Sequence, residues 1–198
     1  MQYVPIHKLL KCILDSKNFM STVLQYQCSN DGLLRDFHDG QFCKEHNSQN
    51  LKLPLYVDKC EFANSLGSKA GLHKIGVVYC TVSGLTPKIS FTVVQLFLVA
   101  MFNEEDVKMY GYDIIMRPLV DDIKELETNG VHIDSDVFNG TVRMSIAQVS
   151  GDNLGANGIC GFVERFVGNY HCRHCKMHRN DMWYSSTETR MSSNTRGL

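Results

Sequence analysis

The chain has 198 residues, 43% of them hydrophobic, and a net charge of −1. That is apolar material for one domain, or one domain with a small appendage, and too little positive charge for a protein that coats DNA. The charge is unevenly spread: residues 101–139 hold ten Asp/Glu and three Lys/Arg, whereas 170–198 hold five Lys/Arg, two Asp/Glu and three His. An acidic middle beside a basic tail gives the molecule a polar field. Lys8 and Lys11 interrupt the first apolar residues, which is not the layout of a signal peptide. The longest apolar run, 91–102, is too short to span a bilayer and contains Gln95. The eight cysteines are therefore expected as reduced thiols in the cytosol or nucleus.

Taken in order, residues 1–50 read as a helical preface outside any sheet. Ile6, Leu9, Leu10, Ile13 and Leu14 fall on one helical face behind Pro5, a second helix runs from Lys17 to Gln27, and 29–50 reads as polar loop. A core domain is expected over 51–170. Its first strand, Leu53 to Asp58, alternates Leu53, Leu55 and Val57 with Tyr56 and Asp58. The β-branched run Ile75–Val82 gives a second strand, and 91–102 a third. Helical turns over 104–110 and a helix starting or kinking at Pro118 follow, the latter with Ile115, Leu119, Ile123 and Leu126 as its apolar face and Asn129-Gly130 as its stop. Asn139-Gly140 is a turn, Thr141–Val149 a fourth strand, and Asn153–Gly168 a glycine-weakened helix. The order β-β-β-α-β-α predicts an α/β fold whose mixed sheet is an antiparallel meander with one parallel partner. Residues 171–198 read as a Cys/His cluster with a loose polar tail.

Two constellations carry chemistry. Asp58 and Asp152 each stand at or just after a strand end, and neighbouring strands would bring the two carboxylates together. Such a pair repels unless a cation lies between, and oxygen donors of this kind suit Mg²⁺. The competing reading makes Asp58 a strand terminator and Asp152 a helix N-cap. The second constellation is Cys172-Arg-His-Cys175-Lys-Met-His178. Cys-x-x-Cys with a following His supplies three ligands of a structural zinc site, with His171, His174 or Cys160 as candidates for the fourth. Its competing reading is a pair of buried thiols with a surface His. Arg173, Lys176 and Arg179 interleave with it, so a non-catalytic, zinc-organised module binding nucleic acid or protein is the rival function. No Ser-nucleophile elbow and no phosphate-cradling glycine loop occur.

Tyr56-Val-Asp58, Asn64-Ser-Leu-Gly-Ser68, His73-Lys-Ile-Gly76, Pro118–Glu127, Ser150-Gly-Asp-Asn-Leu154 and Cys172-Arg-His-Cys-Lys176 together resemble the central region of eukaryotic DNA-transposon transposases of the Asp-Asp-Glu type. The likeness covers roughly residues 3–180. It implies a ribonuclease-H-like core, DNA as partner, a nuclear location, and DNA cleavage and strand transfer with Mg²⁺ or Mn²⁺. Asp58 and Asp152 would be the first two catalytic acids, and Cys175-Lys-Met-His178 matches a Cys-x-x-His element of several such families. The resemblance places a final Glu well past His178, and Glu188 is too near to serve. The chain as given is expected to be inactive or partial, with association between copies left open.

Overall fold

A computed structural model describes residues 1–26, 33, 37–45, 50–61, 74–83, 96–162, 169–170 and 177–182. The chain divides into two compact units, Met1–Ser150 and Gly151–Leu198. The first is an α/β unit on a five-stranded mixed sheet.

Strand β1 (Gln2–Tyr3) leads into helices α1 (Ile6–Leu14) and α2 (Lys17–Gln25). A 3-10 turn (Phe37–Asp39) and the short α3 (Gln41–Glu45) precede β2 (Leu51–Glu61). Then come β3 (Lys74–Cys80), β4 (Phe97–Asn103), α4 (Glu104–Tyr110) and α5 (Tyr112–Thr128). A hairpin of β5 (Val131–Ser135) and β6 (Phe138–Val142) leads to β7 (Met144–Gly151). The second unit's described helices are α6 (Asn153–Ile159) and α7 (Arg179–Met182). No described helix is long and apolar enough to cross a membrane.

The sheet order is β1-β4-β3-β2-β7. β2, β3 and β4 form the expected antiparallel meander. β7 lies on the far side of β2. Leu51 N–H donates to Arg143 O (2.9 Å), Lys52 Nζ to Ser145 Oγ (2.9 Å) and Ser150 Oγ to Leu55 O (3.2 Å). The partners ascend together along both strands, so β7 runs parallel to β2.

Side-chain alternation gives the sheet one thoroughly buried face. Val57, Val78 and Ala100 form a row across three strands, each 3% exposed or less. The next row is Lys59, Gly76 and Phe102. Gly76 is required here, because a Cβ at this position would land on the Phe102 ring. Phe102 meets Tyr112 of α5 edge to face, ring centroids 6.1 Å apart. Lys59 Nζ lies 5.9 Å from the same Tyr112 ring and donates to Glu104 Oε1 at 3.3 Å. The buried stripe of α5 is the four-residue set expected, Ile115, Leu119, Ile123 and Leu126, and α1 packs against it with Ile6, Leu10 and Leu14 fully buried. Each such side chain contributes about 1.5–3 kcal/mol of apolar burial.

Several boundaries differ from expectation for physical reasons. The N-terminus belongs to the sheet: Gln2 and Tyr3 pair with Met101 and Ala100, and Val4 N–H donates to Val99 O at 2.8 Å. Two residues are too few for an alternation signal. The 29–50 stretch contains the 3-10 turn and α3. Helix α5 begins before Pro118, which stands inside it. Gly111, at φ +82°, separates it from α4 in a backbone conformation that a side chain would oppose. Asn139 and Gly140 are strand residues; the turn of that hairpin is 136–137, and Asn139 Nδ2 donates across it to Asp134 Oδ1 at 2.7 Å. The expected fourth strand is two strands, parted at Arg143. The third strand is described from Phe97, and the expected helix over 153–168 from Asn153 to Ile159; 84–95 and 163–168 lie outside the described residues.

The N-terminal strand is fastened by a polar clasp. Tyr3 OH donates to Asp122 Oδ2 of α5 (2.5 Å) and accepts from Ile6 N–H (3.2 Å), while His7 Nδ1 lies 3.1 Å from the same carboxylate oxygen. Burial, then the Asp122 carboxylate, push the Tyr3 phenol far above its ordinary value of 10.0. The folded phenol holds its proton to higher pH than the unfolded one. The clasp's contribution is therefore complete below about pH 10 and is lost as pH rises past that value. In denaturant titrations, Tyr3→Phe is expected to cost about 1 kcal/mol near neutrality and to lose stability less steeply than the wild type at alkaline pH. Parallel pH profiles for the two proteins would contradict the clasp.

Candidate functional site

Asp58 is not at the end of its strand. Lys59, Cys60 and Glu61 continue the pairing, against Gly76, Ile75 and Lys74. The sequence ended β2 at Asp58 because polar residues follow. The strand goes on because Lys59, pointing to the buried face, finds Glu104 there; the two side chains are 14% and 15% exposed. Glu104 also holds Lys108 at 3.6 Å through its other oxygen. Asp58 lies on the opposite face with Tyr56 and Cys60, next to its cross-strand neighbour Val77. It is half-buried, and its Oδ1 accepts from Lys59 N–H at 2.7 Å. Its other carboxylate oxygen accepts no hydrogen bond among the described residues. Tyr56 is 40% exposed and Leu98, in register with Tyr79, 39%, so this face is less covered than the other.

Asp152 is the residue after β7 and caps α6. Its backbone is extended, and its Oδ1 accepts from Gly155 N–H at 2.6 Å. The capping interpretation is thus realised, and it uses one oxygen; the other has no hydrogen bond among the described residues. Asp152 is exposed. Both acids therefore keep a hard oxygen donor in hand, as a divalent cation requires. Among the described residues no three His, Cys, Asp or Glu side chains converge.

Cys172 and Cys175 lie outside the described residues. His178 is described, and its Nδ1 accepts from Asn180 N–H at 3.2 Å. A neutral imidazole accepting at Nδ1 carries its proton on Nε2. In this arrangement neither nitrogen offers a lone pair, so a zinc ion at His178 would have to displace the Asn180 amide. The ring is held edge to face against Tyr170, centroids 5.3 Å apart, and Arg179 N–H donates to Asn169 O at 2.7 Å. The neighbouring Met177 is 4% exposed.

Three features had no signal in the sequence. Lys52 is 4% exposed and donates to Ser145, a contact that ties β2 to β7 at their starts. A lysine in a strand ordinarily reads as solvent-facing. Lys59–Glu104 and Tyr3–Asp122 join residues far apart in the chain, which no local pattern reports. Burial pushes the Cys80 thiol up to about 12, so this cysteine is an inert core residue.

Compared with models of known protein families and with curated proteins, the sequence matches none.

The two roles of Asp152 separate by substitution. Asp152→Asn keeps an oxygen for the Gly155 amide, whereas Asp152→Ala loses the cap at about 1 kcal/mol. Amide exchange across 153–159 is expected to quicken several-fold in the alanine variant and little in the asparagine variant. Equal exchange in both would mean that the cap contributes nothing.

Proposed function

We propose that the chain is a transposase-derived domain with a ribonuclease-H-like core, in which Asp58 and Asp152 are metal-binding acids for Mg²⁺ or Mn²⁺ and the partner is DNA in the nucleus. One observation carries this reading. β7 lies beside β2 in the sheet and runs parallel to it, Asp58 stands in β2, and Asp152 directly follows β7 in the chain. The five-stranded mixed sheet, in the order β1-β4-β3-β2-β7 with helices before β7, is compatible with the α/β core that this reading needs.

The chain's own residues prepare this role. Lys59 N–H fixes one oxygen of Asp58, and Gly155 N–H fixes one oxygen of Asp152. Each carboxylate is left with its second oxygen to bind. Lys59, anchored by Glu104 behind the sheet, keeps the strand in register at the position where Asp58 turns outward. A bound divalent ion supplies charge neutralisation and Lewis-acid polarisation at a phosphodiester. Full cleavage and strand transfer needs a further acid, which the described residues do not supply. Metal binding with partial or no turnover is the activity proposed for this chain. The rival zinc-organised module is less favoured, because His178 has its Nδ1 taken by a backbone amide.

Calorimetric titration with Mn²⁺ tests the reading. Wild type is expected to bind, and Asp58→Asn and Asp152→Asn are each expected to weaken binding by about tenfold or more, in line with the loss of one carboxylate ligand. Binding unaltered in both variants would remove the carboxylate pair from the account.

A further inference from the structure

We propose that His38 and Cys43 form a binding corner for Zn²⁺. His38 sits in the 3-10 turn Phe37–Asp39 and Cys43 in α3, with Gly40 N–H closing the turn between them on Phe37 O at 3.2 Å. Consecutive turns bring His38 Nδ1 to 3.7 Å from Cys43 Sγ. A tetrahedral zinc ion, with bonds of about 2.3 Å to sulfur and about 2.0 Å to nitrogen, holds those atoms roughly 3.6 Å apart. The pair already stands at that bite. The interval of four residues between them also falls within the range by which structural zinc sites space paired ligands.

The surroundings favour a fixed ligand over a mobile one. Cys43 is 3% exposed. The His38 ring is flanked by Tyr26, centroids 5.2 Å apart, and by Phe37 at 6.1 Å, which hold its plane. Without metal the pair makes a sulfur–imidazole hydrogen bond. Zinc replaces the thiol proton: the S–H bond breaks, an S–Zn bond forms, the proton leaves to solvent, and no electron is transferred. The described residues hold no third His, Cys, Asp or Glu at this point. His38 and Cys43 are therefore two ligands of a shell that solvent or other donors complete. Cys28 and His46 stand near them in the sequence, outside the described residues, and the assignment does not depend on them.

The test uses the full chain carrying Cys172→Ser and Cys175→Ser, so that the C-terminal thiols cannot answer for Cys43. Titration with Co²⁺ is expected to give a near-ultraviolet thiolate-to-metal absorption that Zn²⁺ displaces. A further Cys43→Ser should abolish it, and a further His38→Ala should weaken binding by about tenfold or more. No absorption, or absorption that survives Cys43→Ser, overturns the proposal. Because Cys43 is buried and its serine variant can unfold, the unmodified chain gives a second readout. One equivalent of Zn²⁺ should shift the ¹⁵N resonance of His38 Nδ1, identified by its disappearance in His38→Gln. A resonance that stays in place at saturating Zn²⁺ overturns the proposal as well.

Discussion

The parallel seating of β7 against β2 is the constraint on which the rest of the first unit depends. Parallel neighbours cannot be joined by a tight turn, so the chain must leave β4 and travel across the sheet before β7 can begin. The crossing is made by α4, α5 and the β5–β6 hairpin. Its longest helix, α5, is apolar on one stripe, Ile115, Leu119, Ile123 and Leu126. A helix laid over a sheet buries a stripe of side chains and exposes the others. Through Tyr112, α5 meets Phe102 of the sheet, whose ring lies over Gly76.

Polar contacts then fix the register that burial alone leaves loose. Apolar packing is non-directional and tolerates small slips, whereas a hydrogen bond or ion pair at low exposure does not. Lys52–Ser145 sets β2 against β7, Lys59–Glu104 sets β2 against α4, and Tyr3–Asp122 sets the N-terminal strand against α5. Removing one member of such a pair leaves its partner poorly solvated, so these contacts guard specificity more than they add stability. The consequence for Asp58 is that it sits in a strand held on both sides, by β3 and by β7.

What the sequence made legible follows from the periodicity of its side chains. Ile115, Leu119, Ile123 and Leu126 declared their helix, and Leu53, Leu55 and Val57 their strand, because one face of each is buried without exception. The helix N-cap at Asp152 was legible as the competing reading of that residue. Several hidden features depend on strand pairing that no single residue's preference reports. β1 has two residues and owes its existence to β4. The strand status of Asn139 and Gly140 comes from pairing with Asp134 and Ile133, against the turn preference of the dipeptide. For Pro118 the sequence left a helix start and a kink open, and it stands inside α5. For Asp58 the sequence placed the strand end three residues too early, and the single oxygen that each of Asp58 and Asp152 commits to a backbone amide depends on local geometry that side-chain periodicity does not report.

The direct test of the carboxylate pair is paramagnetic broadening of backbone amide resonances by substoichiometric Mn²⁺. The account predicts that the amides of Lys59 and Cys60, and those of Asn153 and Leu154, broaden at Mn²⁺ concentrations that leave amides near other surface carboxylates sharp. Broadening confined to one of the two segments, or spread evenly over surface carboxylates, would contradict it.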